Sequence, residues 1–173
     1  MGAGQTVLVE QRALQGERLV LEPLRAEHAE RLRALRRSPA VARWWDPAPE
    51  GWPLAAERDV DEKFAITVEG EVAGLIQFFE EPDPDARHAD IDIFLGPDHQ
   101  DRGLGTEAVR VLVRHLLEER GHHRITLYTS PANERAIRAY EKVGFRRVGI
   151  LSKAHLSRAT GQWEDELLME YVV

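Results

Sequence analysis

A single domain of the α/β or α+β class is what this sequence predicts, and three observations predict it. The chain has 173 residues, which at roughly 150 residues per domain means one domain with a core of its own. Short stretches that alternate apolar and polar residues are interspersed with longer ones of helical period, so strands and helices share one core. No internal repeat and no linker-like segment divides the chain.

The elements follow in order. Residues 1–11 are read as a frayed end or an added edge strand. After the turn residue Gly16, residues 19–21 read as a short strand. Residues 26–37 place Ala29, Leu32 and Leu35 at helical spacing, and Pro39 ends that helix. Arg31, Arg33, Arg36 and Arg37 follow Glu27 and Glu30 there and read as a solvated helix face. Residues 44–53 hold three prolines and three tryptophans, an ordered loop, and a short helix is expected near residues 55–62. Residues 64–68 and 72–79 are two strands joined at Glu69-Gly70, a hairpin signal. Pro82 and Pro84 make the next loop. Residues 88–95 alternate: Ala89, Ile91, Ile93 and Leu95 share one face, while His88, Asp90, Asp92 and Phe94 share the other.

Gly103 and Gly105 then open a strong helix. Leu104, Ala108, Val111, Leu112, His115 and Leu116 mark its apolar stripe, Glu107, Arg110, Arg114 and Glu118 lie opposite, and Gly121 closes it. Residues 124–129 are a strand. Residues 133–143 are a helix with Ala136, Ile137, Tyr140 and Val143 inside and Gly144 at its end. Residues 145–151 and 163–172 are the last strands, with Gly161 in the turn between them.

Composition narrows the chemistry. Apolar residues make up 43% and charged residues 31%, ordinary for a soluble globular protein. No apolar run approaches the roughly 20 residues of a membrane span, and residues 1–10 lack the pattern of a secretory signal. The absence of cysteine excludes a thiol nucleophile, a disulfide scaffold and a zinc-thiolate site, and fits a cytoplasmic enzyme. A formal net charge of −7 argues against general nucleic-acid binding, which rests on cationic contacts to phosphate. The charge is unevenly spread. Residues 46–62 and 80–92 each carry six acids against one Arg, whereas residues 100–147 carry ten Lys/Arg against six acids. Either these are solvated surfaces, or the C-terminal half holds an anionic ligand and the middle a cationic one. His122-His123 reads as surface. His28, His99 and His155 have no partners at metal-ligand spacing, so no metal is expected.

The informative unit is a strand, then Gln100-Asp101-Arg102-Gly103-Leu104-Gly105-Thr106, then a helix. Glycines at such a junction let backbone N–H groups approach a ligand, and the unpaired N–H groups of a helix start favour an anion such as a pyrophosphate. No Gly-Lys-Ser/Thr follows, so this is not a Walker loop. A second unit stands downstream. Asn133 and Tyr140 are two helical turns apart and share a face, followed by Gly144-Phe145. By themselves they read equally as an N-cap and a half-buried core tyrosine.

Together these residues resemble the GNAT superfamily of N-acetyltransferases. Its acyl-CoA motif, Gln/Arg-x-x-Gly-x-Gly/Ala, is matched by Gln100, Gly103 and Gly105. Its pattern Asn-x-x-Ala-x-x-x-Tyr-x-x-x-Gly-Phe is matched by Asn133, Ala136, Tyr140, Gly144 and Phe145. The resemblance implies a mixed, mostly antiparallel central sheet of six to seven strands flanked by about four helices. The domain would span residues 17–173, behind an N-terminal extension over residues 1–16. It implies acetyl-CoA as the acetyl donor, with its pyrophosphate on the N–H groups of Arg102, Gly103, Leu104, Gly105 and Thr106. Arg102 would add charge, the pantetheine would run along Ile93, Phe94 and Leu95, and Asn133 would meet that arm. Tyr140 would protonate the departing thiolate, since a phenol of pKa about 10 stays protonated where a thiol of about 8.5 does not. Asp92 is the candidate base, with Asp90 beside it on the same strand face.

The Trp44-Trp45-Asp46 segment, with Asp92, is similar to aminoglycoside 6′-N-acetyltransferases. Carboxylates and flat aromatic faces suit a polycationic sugar, so Trp44, Trp45, Asp46 and Asp90 are the candidate acceptor contacts. Against this, the strand Thr126-Leu127-Tyr128-Thr129 lacks the acid that some of those enzymes carry. Two other acceptors stay open: a siderophore amine, or a protein N-terminus, which the opening at residues 16–24 and Trp163-Glu164-Asp165 also resemble. A CoA-binding sensor without catalysis is the alternative of another class. The expected partner is a small-molecule amine, with no nucleic acid and no membrane, and a homodimer is compatible with the family.

Overall fold

The computed structural model describes residues 12–55 and 62–173. Two strands open it, β1 (Leu14–Gln15) and β2 (Val20–Pro23). A 3-10 turn (Ala26–His28) leads into α1 (Ala29–Arg37), and α2 (Pro39–Ala42) follows. The hairpin of β3 (Glu62–Val68) and β4 (Glu71–Glu80) comes next, then β5 (Ala89–Leu95), α3 (Leu104–Glu118), β6 (Arg124–Thr129), α4 (Glu134–Val143), β7 (Arg146–Leu156) and β8 (Trp163–Val172). The strands form one sheet in the order β1-β2-β3-β4-β5-β6-β8-β7. Every pairing is antiparallel except β5 with β6.

The class is as expected, but the sheet has eight strands among the described residues, not six to seven. The extra one is β1, whose two residues are too few to show a period. Pro39 does end α1, and it also starts α2 as its first residue, where a missing N–H costs nothing. The expected helix near residues 55–62 falls almost wholly outside the described residues, as does the reading of residues 1–11; Glu62 itself belongs to β3.

Two cores flank the sheet. The larger lies under α3 and α4 and includes Phe64, Ile76, Ile91, Leu112, Ile125, Ile137 and Met169. The smaller lies on the other face under α1, where Leu32, Leu35 and Val41 meet Trp52, Leu75 and Phe94. Strand alternation supplies both: Ile91 faces one core while Phe94 faces the other. Gly74 brings β4 and β5 together, because a Cβ there would sit 2.1 Å from the Phe94 carbonyl oxygen.

Three surface readings need correction. Arg33 and Arg36 are not merely solvated: Arg33 Nε donates to the Trp52 carbonyl at 2.7 Å. Arg36 donates to the Asp46 carbonyl at 2.9 Å and lies 4.5 Å over the Trp52 ring, so α1 fastens the tryptophan loop. Glu107 is 9% exposed and ion-paired to Arg18, although helical phase alone puts it among the polar residues. His122 is buried, with Nε2 2.5 Å from Glu80, because the chain leaving α3 turns back under the end of β4.

The feature that positions the site is a parting of strands. β5 pairs with β4 along its whole length, from Glu80↔Ala89 to Gly74↔Leu95. With β6 it pairs only at Ala89↔Ile125 and Asp90↔Thr126. Beyond Asp90 the two diverge, and the backbone of residues 91–95 has no ladder partner on that side. Backbone polar groups demand partners, so the opening is a slot suited to an amide-bearing ligand.

Candidate active site

A cleft of about 700 Å³ opens at this parting. One end is the glycine turn. Asp101 and Gly103 both take left-handed backbone angles, φ 57° and 76°, which wind the chain abruptly into α3. Gly103 is the residue before the helix, so the first N–H groups of α3 are presented without intrahelical partners. A Cβ at Gly105 would meet only Leu95, at 3.5 Å. Protein packing therefore tolerates a side chain there, and the bare position suits close approach of a ligand.

Arg18 clamps this turn. Its Nη1 donates to the Arg102 carbonyl at 2.9 Å, its Nε to Glu107 Oε2 at 2.8 Å, and its backbone N–H to Glu107 Oε1 at 2.7 Å. Burial pushes the Glu107 carboxyl up, but the bonds from Arg18 outweigh it and hold the pKa below the ordinary value. Gln100 ties the turn to both walls: Nε2 donates to the Leu95 carbonyl at 2.7 Å, and Oε1 accepts from Arg135.

Of the residues singled out in the sequence, Ile93, Phe94, Leu95, Gln100, Gly103, Gly105, Thr106, Asn133, Tyr140, Asp90, Asp92, Trp44, Trp45 and Asp46 all line this cleft. Arg102 and Leu104 do not. Leu104 is a core residue, 2% exposed. Arg102 lines a separate groove beside Arg18. The exposed Arg102 side chain contacts the Asp98 carbonyl at 3.4 Å.

Tyr140 is buried in the cleft wall, two turns into α4. Burial and then the nearby Asp92 charge raise its pKa well above the ordinary phenol value, so the hydroxyl stays protonated at neutral pH. Asn133 caps α4, its Oδ1 accepting from the Ala136 N–H at 3.3 Å, while its side chain also faces the cleft. The N-cap description of Asn133 therefore holds.

The acidic side is more committed than the sequence implies. Asp90 accepts from the Thr126 hydroxyl and lies 3.5 Å from His88. Asp46 Oδ1 accepts from the Arg158 N–H at 2.9 Å, and its Oδ2 lies 3.2 Å from His155. Asp46 thus fastens the β7–β8 hairpin to the tryptophan loop. Trp45 packs edge-on against Phe94 at 5.2 Å, and Arg43 stacks 4.5 Å over Trp44.

Glu166 went unread in the sequence. It lines the cleft from β8, and burial pushes its carboxyl above the ordinary value, with His155 opposing. An acid thus lines the cleft from the strand beside β6. β8 runs antiparallel to β6, with Thr129 opposite Leu167, and no local signal in the sequence states that pairing. Arg135, Arg138 and Lys142 line the α4 side, so the cleft is basic along α4 and acidic along β5 and β8. Among the described residues no group of three or more His, Asp or Glu is arranged to hold a metal.

Comparison with known proteins agrees with this architecture. A family model described as an acetyltransferase (GNAT) domain matches residues 18–146. The chain is 26% identical to the spermidine N(1)-acetyltransferase of Escherichia coli strain K12, over 86% of this chain and 83% of that protein. It is 32% identical to an aminoglycoside N(6′)-acetyltransferase type 1 of Klebsiella pneumoniae, over 65% of this chain and 66% of that protein. A solved spermidine N-acetyltransferase from Vibrio cholerae, in complex with CoA and spermine, superposes with a TM-score of 0.75. That match has 19% identity and covers 90% of this chain and 95% of the other.

Proposed function

Because this chain belongs to the GNAT acetyltransferase family, we propose that it transfers the acetyl group of acetyl-CoA to a primary amine of a polycationic, aminoglycoside-like small molecule. The observation that carries the reading is the two-sided cleft. An anion-suited turn lies at one end, and the cleft is also lined by Asp90, Asp92 and Glu166, with the Asp92 charge near Tyr140.

When bound, acetyl-CoA supplies the thioester that the amine attacks. The N–H groups of residues 102–106 would hold its pyrophosphate, and the unpaired edge of residues 91–95, with Asn133, its pantetheine arm. The residues present fit that ligand: the slot offers backbone groups that need partners, and the turn offers N–H donors with no side chain at positions 103 and 105. Asp92 takes a proton from the incoming ammonium, directly or through one water. Tyr140 Oη gives a proton to the sulfur as the C–S bond breaks, and the second proton shed by the acetylated nitrogen restores the phenol directly or through water. No enzyme nucleophile is needed, which fits a chain without cysteine.

Asp90, Asp92 and Glu166 supply the field that draws a polycation. Trp44 and Trp45 line the same cleft, each already stacked by an arginine, and the Asp46 bonds hold their loop in place. Two features of the relatives support the acceptor class: one is named for spermidine and another for aminoglycosides, both polycationic amines. Thiol release from acetyl-CoA, followed with spermidine, kanamycin and a peptide bearing a free N-terminus, tests the reading. Turnover with one or both small polycations is expected. Turnover with the peptide alone would replace the acceptor assignment, and acetyl-CoA binding without turnover would favour a sensor.

A further inference from the structure

The acetyl-transfer reading assigns no role to the carboxamide of Gln77. Gln77 lies on β4 directly opposite Asp92 of β5. Opposed residues on neighbouring antiparallel strands carry their side chains on the same face, with Cβ atoms about 5 Å apart, and both residues line the cleft. Gln77 is 4% exposed, and its Oε1 has no hydrogen-bond partner. Buried acceptors are rarely left so, because an unmade bond there costs the full desolvation of the group. Its same-face neighbours on β4 are Leu75 and Phe79, so an apolar residue at 77 would continue the wall. Packing alone gives no reason for an amide.

We propose that Gln77 is an acceptor-binding residue: its Oε1 receives one N–H of the substrate's primary ammonium while Asp92 faces another. The assignment rests on the acetyl-transfer reading of the same cleft. A primary ammonium brings three N–H donors and no acceptor, so two adjacent oxygens hold the nitrogen at two points. A neutral amide suits the second point better than an acid would. A carboxylate at 77 would repel Asp92, raise its pKa, and leave it protonated when it must take a proton.

The test compares Gln77→Leu and Gln77→Glu in the full chain, with acetyl-CoA as donor and spermidine as the amine probe. Gln77→Leu removes an unpaired buried acceptor, so its melting temperature is expected at or above that of the wild type. Its KM for acetyl-CoA should stay within twofold. Its kcat/KM for spermidine should fall ten- to a hundredfold, the range for one hydrogen bond to a charged group. Gln77→Glu keeps an oxygen at the site and should move the acid limb of the spermidine pH profile upward. The assignment is overturned if Gln77→Leu leaves spermidine kinetics within twofold of wild type. It is also overturned if the variant melts well below the wild type, or if acetyl-CoA and spermidine kinetics suffer equally. Failure of the wild-type chain to turn over spermidine removes the premise as well, and is told apart because it appears before any substitution is made.

Discussion

Tyr140 and Asp92 line one cleft, with opposite proposed roles of proton donor and proton acceptor. The phenol is buried beside a carboxylate, and both effects favour its neutral form. Tyr140→Phe should lower kcat about a hundredfold, typical of a lost general acid, with the KM for acetyl-CoA within twofold. Since the Tyr140 pKa lies above its ordinary 10.0, no alkaline fall in kcat from this group should appear below pH 10. Glu166 shifts in the same direction, also through burial. Its raised pKa means that its negative charge is lost earlier as pH falls than for an ordinary carboxylate. The apparent KM for a polycationic amine should therefore begin to rise while pH is still above 4.5, the ordinary value, and Glu166→Gln should abolish that limb. At this scale the sequence was most legible where residues sit in a local motif: Gln100, Gly103, Gly105, Asn133 and Tyr140 all reach the cleft. It was least legible at Glu166 and Gln77, whose roles depend on which strand lies beside which.

The elements explain why the motif works. β5 and β6 share two residue pairs and then part, and the glycine turn closes the wide end of that gap. Arg18, on the approach to β2, reaches across to the turn and to the first residues of α3. It holds the turn from a neighbouring groove and does not itself line the cleft, so it is a positioning residue. Arg18→Ala should raise the KM for acetyl-CoA about tenfold, one charge-assisted bond, while kcat changes by less than twofold; Arg18→Lys, which keeps the charge, should recover part of the loss. Steady-state kinetics with acetyl-CoA varied at fixed amine would show this. The helices and most strands were readable because their apolar residues recur at 3.6 or 2 positions, as in α3, α4 and β5, or form a run beside a turn signal, as in β4. β1 was not, and the second half of β7 was missed for a related reason: all of β7 is solvent-exposed, and its pairing with β8 is irregular between Leu151 and His155. A strand without a buried face writes no alternation into the sequence.

For the molecule as a whole, charge is sorted rather than merely abundant. The basic C-terminal half supplies α4, and the two acidic stretches supply Asp46, Asp90 and Asp92, so the uneven spread seen in the sequence becomes the two sides of one cleft. One acidic residue serves stability instead. Burial works to raise the Glu80 pKa, but hydrogen bonds from Arg120 and His122 outweigh it and leave the carboxyl below its ordinary 4.5. A carboxyl with a lowered folded-state pKa contributes stability above its unfolded value and loses it as pH falls through the folded one. Glu80→Gln should therefore cost about 1–3 kcal/mol at neutral pH, and the gap from wild type should narrow as pH drops below 4.5. Thermal melts across that range would show the convergence.

In the proposed reaction the turn after β5 takes the diphosphate of the acetyl donor and so sets its thioester between Asp92 and Tyr140. A crystal structure of the protein with acetyl-CoA tests it most directly. Phosphate oxygens are expected within hydrogen-bond reach of the backbone N–H groups of residues 102–106, with the thioester sulfur beside Tyr140 Oη. Phosphates bound elsewhere, or a thioester remote from both side chains, would contradict it.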